Sequence, residues 1–457
     1  MTLNILDPQA FAATDREAWL VLVGKALKGA DFDRTLVSAT DDGIAIQPLY
    51  DRVRDATPLT RRQPSAAWAI SQRIDDPDTT RALSQLADDL ANGATAVSMV
   101  FDDSAQGFGM GMAADNRAIV ASIFAATAGR PVSVRLEQGV QSVSVVDVLL
   151  QSSGADLPQT VHFGIDPFTP AAFGGRPVET GDLGTRFRQR QGLARGGTIL
   201  NADGRIIHNA GGTEAEELAV MAATIAAYLR LLEAERIEPE AVLGAISLNL
   251  CADQDQFLTM AKVRAARLLF ARIAEACGVD PALRPHVFTE TSYRMLTLRD
   301  PETNILRNTI AVFAAGTGGA DEIAVLPHTL THGLPDPLAR RLARNTQLIL
   351  TAESHLADVT DPSAGSGGIE ALTDALAAKA WALFGNIERA GGLQTAIADG
   401  SLALMIAKSR RNRPARPIVG TSLYAPENDR PASVLGPLHP IATLGMQPVR
   451  RDEEIAR

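Results

Sequence analysis

Three polar residues near the middle of the chain are the first candidates for chemistry. Arg205 and His208 follow the short apolar run 198–201, and Asn249 lies within the alternating run 245–252. A histidine can exchange a proton near neutral pH, and all three side chains can hydrogen-bond a polar ligand. We therefore predict that Arg205, His208 and Asn249 bind substrate. A structural role for His208, bonded to loop backbone, is the competing interpretation.

Other ionisable residues also stand where predicted strands end. They are Asp102, Asp103, Glu137, Asp166, Asp253, Glu290, Tyr293, His328 and His332. His328 and His332 are four residues apart, the spacing of a metal pair on a helix, but Pro327 and Pro335 place them in a loop. We predict no metal-binding and no cofactor-binding residues, and we assign no catalytic residue beyond a possible vestigial His208.

Two glycine-rich stretches and one basic helix are weaker signals. Residues 108–112 (FGMGM) would permit a ligand to approach the backbone, and residues 363–368 (SAGSGG) could hold an anion at a helix start. The basic residues of the helix after the run 245–252 are interpreted as a solvated or ion-paired face: Lys262, Arg264, Arg267 and Arg272.

The elements that would position these residues alternate between strands and helices. Thr213 and Glu216 form a capping box before an apolar stripe at helical spacing, and the run 245–252 follows as a strand with one face buried. Strand candidates recur at 68–74, 96–101, 132–136, 160–165, 198–201, 245–252, 286–291 and 322–326. This number of strands, with helices between them, predicts an α/β fold of the (β/α)₈ TIM-barrel type. A doubly wound sheet is the alternative, although no glycine-rich phosphate loop follows the first strand.

The remaining segments are assigned to extensions of the barrel. Residues 1–60 are predicted to form an N-terminal helical arm that contacts another subunit, since the apolar side of its helix has little of its own to pack on. The barrel is placed at 61–352, a C-terminal helical extension at 353–410, and a proline-rich tail at 411–457 that wraps the surface or is partly mobile.

Bulk composition excludes several classes of protein. The chain has 457 residues, 46% of them hydrophobic, and its formal charge is −10 with no basic stripe, so we expect no nucleic-acid partner. Its two cysteines fit neither a disulfide framework nor a CxxC metal site. Neither a signal peptide nor an apolar run long enough to span a bilayer is apparent. We expect a cytoplasmic protein without membrane contact.

Five blocks in the second half of the chain resemble the methylmalonyl-CoA mutase family. They are Lys262 with residues 264–270 (RAARLLF), then 303–309 (TNILRNT), 339–347 (ARRLARNTQ), 361–370 (DPSAGSGGIE), and the Ala380-Trp381 helix before Gly391-Gly392. Residues 208–213 (HNAGGT) and the arm up to Tyr50 look most similar to the small, or beta, subunit. The resemblance covers about residues 42–402.

This resemblance implies a (β/α)₈ barrel paired with a homologous large (alpha) subunit. The family interconverts methylmalonyl-CoA and succinyl-CoA by a radical rearrangement that uses adenosylcobalamin. Catalytic chains carry a Tyr-His pair after strand five, where this chain has Ile207 and His208. Two aromatic segments of catalytic chains are replaced by residues 57–65 and 101–104, and the Asp-x-His-x-x-Gly motif of the cobalamin-binding domain is not found.

These departures predict a small, non-catalytic subunit of a heterodimeric mutase, inactive alone, with adenosylcobalamin bound by the partner subunit and none on this chain. Two alternatives stay open. One is a catalytic acyl-CoA mutase barrel that uses a separately encoded cobalamin-binding subunit. The other is an unrelated TIM-barrel enzyme or a protein that binds acyl-CoA for regulation.

Overall fold

Eight parallel strands form the centre of the molecule. The structure, a computed structural model, describes residues 15–60, 66–152, 160–441 and 443–455. The barrel strands are β1 (Ala69–Ile74), β2 (Ala96–Val100), β3 (Ser133–Glu137), β4 (Thr160–His162), β5 (Leu200–Asp203), β6 (Ile246–Ala252), β7 (His286–Thr291) and β8 (Glu322–Ala324). Parallel pairing runs from β1 to β4 and from β5 to β8, and β8 pairs with β1.

The ring closes between β4 and β5. Ile165, beyond the end of β4, forms a parallel bridge with Leu200, and its N–H donates to the carbonyl of Ile199 at 3.0 Å. The carbonyl of Ile165 in turn accepts from the N–H of Asn201 at 3.0 Å. The predicted (β/α)₈ barrel is therefore confirmed.

Helices surround this ring in the expected alternation. They are α1 (Thr79–Ala91), α2 (Arg117–Thr127), α3 (Val140–Ser152), α4 (Leu183–Arg190), α5 (Glu214–Glu233), α6 (Gln256–Ala276), α7 (Thr303–Gly318) and α8 (Pro337–Leu348). Shorter helical segments are Phe168–Gly174, Arg205–Asn209, Pro239–Gly244, Tyr293–Met295 and Ile349–Glu353. The capping box predicted at Thr213 and Glu216 begins α5, with both of its bonds present. Among the described helices, none has both the length and the apolar composition that crossing a lipid bilayer demands.

The interior of the barrel is polar, and the apolar faces of the strands point outward to the helices. In β6, Leu248 and Leu250 join the apolar core, whereas Ser247 and Asn249 contact other polar residues, and every residue of β6 is buried. The prediction of one buried face was therefore wrong for β6, since both are buried. The axis contains ion pairs such as Arg135–Glu322, at 3.0 Å, with both side chains fully buried. Barrel interiors are more usually filled by branched aliphatic residues.

Three further helices extend the barrel: α9 (Gly367–Arg389), α10 (Gly392–Ala398) and α11 (Ser401–Asn412). The first of them packs against α5 and α6 and covers their outward sides. This is why α5 and α6 are buried on most of their surface, although their sequences predict only one apolar side.

The predicted arm, residues 1–60, lies partly outside the described residues, and its described part contains a helix, Arg16–Leu27, that has no buried residue. Leu20, Val21 and Leu22 are 41%, 58% and 60% exposed. A short helix, Phe32–Leu36, and a pair of two-residue strands, Ser38–Ala39 and Ala45–Ile46, follow. At Asp42 the arm reaches the barrel, because its carboxylate accepts from the N–H of Ala215 at the start of α5, at 3.2 Å.

Asp42 makes a pH-dependent contribution to stability. Burial, followed by the charge of Glu214, raises the pKa of its carboxyl to about 6 from 3.8. The ionised form is therefore disfavoured in the folded protein, and stability falls as pH rises from about 4 through about 6, by at most about 3 kcal/mol. Asp42→Asn keeps an acceptor for Ala215 and removes the charge. We expect the melting temperature of the variant minus that of wild type to be larger at about pH 7.5 than at about pH 4. Calorimetry measures both temperatures, and the same difference at both pH values would contradict this expectation.

The end of the chain crosses the mouth of the barrel at the carboxyl ends of the strands. We call residues 434–455, apart from 442, the strap. It starts as a strand, Val434–Pro437, antiparallel to Gly333–Pro335 after β8, and it ends in the helix Arg451–Ile455. Between them, backbone N–H groups of Met446 and Val449 donate to Ala172 and Asn209, at 2.9 and 2.8 Å. The tail predicted to wrap the surface thus covers the mouth.

Both glycine-rich stretches are packing sites for the chain itself. A Cβ on Gly109 would lie 2.1 Å from the carbonyl oxygen of His439 in the strap. A Cβ on Gly367 would lie 1.9 Å from the carbonyl oxygen of Asp51 in the arm, so the arm occupies the approach to the start of α9. Glycine at these positions allows two backbones to meet.

Candidate functional site

The predicted site residues gather at the mouth of the barrel, on the short helix Arg205–Asn209 and on β6. Arg205, His208 and Asn249 are each 0% exposed. The structure therefore places all three in the interior, beneath the strap, and each of them is bonded to other side chains.

Arg205 is held by carboxylates from several strands. Its guanidinium donates to Asp203 at 2.5 Å and to Glu137 at 2.7 Å. Glu290 lies 3.5 Å away and also pairs with Arg73 at 2.6 Å, so one carboxylate joins two arginines across the interior. The ring of Phe288 lies beneath the Arg205 guanidinium, 5.1 Å from its centroid. An arginine engaged on so many sides is anchored as part of the packing.

Both ring nitrogens of His208 have partners. Nε2 lies 2.8 Å from the hydroxyl of Ser292 and 3.2 Å from Asp253. Nδ1 lies 3.3 Å from Glu217 and 3.5 Å from the ammonium of Lys262. No lone pair of the ring is directed to open space, and the side chain is fully buried.

Two cations balance the carboxylates around His208. Lys262 Nζ donates to Glu217 at 2.5 Å, and Arg294 donates to Glu214 at 3.1 Å. Burial alone would raise the pKa of Glu214, but the charges of Arg294 and Lys262 lower it to about 2. Burial likewise opposes the charge on Lys262, but Glu217 raises the pKa of the ammonium above its ordinary value. All of these groups therefore remain charged at neutral pH.

Asn249 contributes to the same interior. Its side-chain oxygen accepts from the hydroxyl of Ser247 at 2.8 Å, and its backbone carbonyl accepts from the N–H of Gly204 at 3.0 Å. The second bond joins β6 to the turn that leads into the helix of Arg205 and His208. The predicted substrate-binding trio is thus brought together by the fold.

The other predicted polar residues have separate positions. Asp103 accepts bonds from Gln141 and Ser142 at the start of α3, and Asp166 accepts from the backbone of Phe168 at 2.7 Å. The ring of Tyr293 stacks on Phe108 at 4.5 Å. His332 bonds the carbonyl of Leu298 at 2.8 Å. These contacts fasten mouth loops and helix starts.

Two groups of possible metal ligands come together in the described residues, and a cation is bonded to the carboxylate in each. The first is His162, His286 and Glu322, where Arg135 donates to Glu322. The second is His208, Glu217 and Cys251, where Lys262 donates to Glu217. A positively charged side chain that is already bonded to the carboxylate repels a metal ion at the same place.

Sequence reasoning missed the cations of this network. Lys262, Arg264 and Arg267 are 0%, 1% and 3% exposed and all are ion-paired. Of the two interpretations made from the sequence, the ion-paired one is therefore confirmed for them and the solvated one was wrong. Only Arg272, 62% exposed at its side chain, lies on the surface. The spacing of basic residues along a helix does not show whether their side chains face the interior or the solvent. The glutamates in the first turn of α5 were also missed as site residues, because such positions usually serve the helix itself.

The arrangement holds charges in fixed positions and leaves some buried polar atoms without a hydrogen-bond partner, among them Arg205 Nη1, Asn249 Nδ2 and Glu290 Oε2. Its polar groups face one another, and the strap adds two arginines from above. Arg451 lies 3.7 Å from Asp253, and Arg450 opposes the rise that burial causes in the pKa of Tyr293. Burial would raise the pKa of Asp253, but the charge of Arg451 and the nearby His208 ring hold it well below its usual range.

Comparisons with known proteins agree on one family. A family model described as methylmalonyl-CoA mutase matches residues 196–437. The methylmalonyl-CoA mutase small subunit of Streptomyces virginiae is 34% identical over 97% of this chain and 75% of its own length. The small subunit of Propionibacterium freudenreichii subsp. shermanii is 33% identical over 82% of this chain and 60% of its own length. A Rhizobium meliloti methylmalonyl-CoA mutase is 33% identical over 52% of this chain and 34% of its own length.

The chain therefore spans about three quarters of the Streptomyces relative and less than two thirds of the Propionibacterium relative. The matched family region runs from the loop before β5 to the strap, so it contains the helix of Arg205 and His208, α6 and the blocks that carry the resemblance. The alternative of an unrelated barrel is thereby excluded. By its fold, its matched region and its small-subunit relatives, this chain belongs to the methylmalonyl-CoA mutase family.

Proposed function

We propose that this chain is the small, non-catalytic subunit of an adenosylcobalamin-dependent methylmalonyl-CoA mutase, active only in a complex with a homologous large subunit. One observation carries the proposal. The barrel that would have to admit an acyl-CoA is filled by buried ion pairs along its axis and covered by its own strap. Opening it would separate charges that are paired in a region of low dielectric, at a cost of several kcal/mol.

The predicted substrate residues support a structural role. An acyl-CoA bound by Arg205 would have to displace Asp203 and Glu137 from its guanidinium. His208 would have to release Ser292 and Asp253. We propose that this trio stabilises the mouth of the barrel and that His208 is a remnant of a catalytic position.

The described residues do not fit a cobalamin seat. The mouth is the side at which a cofactor would meet the barrel, and the strap lies there. His208 cannot offer a nitrogen to cobalt while Nε2 bonds Ser292 and Nδ1 faces Glu217. We therefore propose that adenosylcobalamin, which supplies the radical chemistry, is bound by the large subunit.

The arm is the segment that we propose for contact with the large subunit. Its first helix exposes three consecutive apolar residues, Leu20, Val21 and Leu22, and buries none of its residues. Exposed apolar side chains that stand together in this way are stabilised by burial against a partner. We propose a cytoplasmic location, as expected for a CoA-dependent isomerase.

Co-expression with a large mutase subunit tests the function. We expect this chain to co-purify with it and the complex to isomerise methylmalonyl-CoA, while the isolated chain does not. In the complex, His208→Gln should leave kcat and KM within about twofold of wild type, because a group that never touches substrate stabilises no transition state. A large loss of kcat in an assembled His208→Gln complex would overturn the non-catalytic assignment.

A matched pair of variants serves as the control for assembly. Leu20→Glu with Leu22→Glu should abolish co-purification, whereas Arg130→Glu, at an exposed position between α2 and β3, should not. If the isolated chain instead forms product with a small separate cobalamin-binding protein, the chain is itself the catalytic barrel.

A further inference from the structure

A groove of about 1030 Å³ opens beside the strap, over the loops that follow β5 and β6. One wall is α11 with residues 413–418, and the other wall is formed by residues 445–454 of the strap. Ala210, Gln254 and Asp255 form its floor. The groove is therefore separate from the closed interior beneath it.

The lining has an unusual charge for this protein. The chain carries a net charge of −10, yet the described lining of this groove has five arginines, three acidic residues and no lysine. The arginines are Arg410, Arg411, Arg413, Arg416 and Arg451, and the acidic residues are Asp41, Asp255 and Glu454. Planar guanidinium groups without lysine are typical of sites for oxyanions that are bound through two oxygens at once. The local surplus of positive charge would attract an anion to a molecule that otherwise repels one.

Neighbouring arginines already converge on single oxyanions in this groove. Arg413 and Arg416 bind the two oxygens of Asp41, at 2.8 and 2.9 Å. On the other side, Arg410 lies 3.0 Å and Arg413 lies 3.6 Å from the oxygens of Glu454. Adjacent guanidinium groups are thus spaced to share one carboxylate, and the same spacing suits the oxygens of a phosphate group.

Donors remain for a ligand after these pairs are formed. Arg416, 52% exposed at its side chain, pairs with Asp41 through Nη2, which leaves its Nε and Nη1 outside that pair. Arg411 is exposed and makes no ion pair with the described residues. Burial, followed by the charge of Arg294, lowers the pKa of Arg413, although Asp41 and Glu454 oppose the shift.

We propose that this groove binds an organic diphosphate, with the phosphates on the two exposed arginines, Arg411 and Arg416. Apolar side chains on the same walls, Leu404, Ile418 and Met446, would contact the organic part. A nucleoside diphosphate and the diphosphate of coenzyme A share this chemistry. The site lies outside the barrel interior, so it does not depend on the proposed pairing with a large subunit.

Calorimetric titration of the isolated full chain tests this site, with inorganic pyrophosphate, ADP and coenzyme A as ligands and adenosine and sulfate as controls. We expect at least one diphosphate to bind at least about tenfold more tightly than sulfate, and its binding to weaken as salt is added. If ADP binds more tightly than pyrophosphate, the groove also recognises the nucleoside. If coenzyme A binds more tightly than ADP, the groove recognises the coenzyme, and equal affinities would mean that it recognises the diphosphate alone. Sulfate binding as tightly as all three would mean an adventitious ion only and would overturn the proposal.

Variants then locate the binding. Arg411→Gln with Arg416→Gln changes two exposed side chains and should weaken diphosphate binding at least about tenfold, the loss of about 1.4 kcal/mol. Arg130→Gln, an exposed arginine between α2 and β3 at the opposite end of the barrel, should bind as wild type does. Equal affinity for the double variant and wild type would place any binding elsewhere and overturn the assignment.

Discussion

Replacement of Lys262 by methionine is expected to lower the free energy of unfolding by about 3–5 kcal/mol, because it removes one partner of a buried ion pair. Glu217, fully buried, would lose the ammonium that lies 2.5 Å from its carboxylate and would keep the Cys251 N–H at 2.7 Å and His208 at 3.3 Å. The carboxyl would then take up a proton more readily. Urea unfolding should therefore show a larger deficit at about pH 8 than at about pH 5.

Two variants make this expectation specific. Arg272→Met removes a basic residue from the same helix, but its side chain is 62% exposed and its ion pair with Glu275 lies in solvent, so the loss should stay within about 0.5 kcal/mol. Lys262→Met combined with Glu217→Gln removes both charges and should be more stable than Lys262→Met alone. Equal losses for Lys262→Met and Arg272→Met would show that the buried pair contributes nothing particular.

The second large effect is expected at Gly109, where the strap meets the loop after β2. This residue has φ of +82°, and a Cβ would lie 2.1 Å from the carbonyl oxygen of His439. Gly109→Ala must both strain the backbone, by about 1–2 kcal/mol, and push the strap away. Cleavage of the strap by a protease at low concentration should become at least about tenfold faster, because the detached state is more populated.

Gly436→Ala is the matched control, since it lies in the strap and a Cβ there meets nothing within 4 Å. Its cleavage rate should equal that of wild type. Mass spectrometry of the fragments identifies the cut. Strap cleavage that is equally slow in both variants would mean that the contact at Gly109 does not hold the strap in place.

Local patterns predicted the frame of this protein well. The spacing of apolar runs predicted eight strands, and the predicted strand at 286–291 coincides with β7, His286–Thr291. The capping box at Thr213 and the glycine break after α9 are local signals, and both are found in the structure. Such features depend on residues three or four positions apart, which a single sequence displays directly.

The contacts that define the site are of another kind. Lys262 meets Glu217 from 45 residues away, and Arg205 meets Glu137 from 68 residues away. Nothing local distinguishes Lys262 from the exposed Arg272 on the same helix. The proline-rich tail has no hydrophobic periodicity from which its path could be predicted, because that path depends on contacts with the loops that it crosses. Sequence reasoning could therefore place His208 at the mouth but not show what surrounds it.

The position of the strap also bears on how the protein is made. The sheet can close once β8 has left the ribosome, since its partners β1 and β7 are already complete. The mouth must wait, because residues 434–455 follow α11 in the chain. Between closure of the sheet and arrival of the strap, the ion pairs inside a nascent barrel are therefore surrounded by strands but accessible to water through the mouth. During that interval a chaperone, a newly made partner or a stray ligand has an access route to His208 that the finished molecule denies.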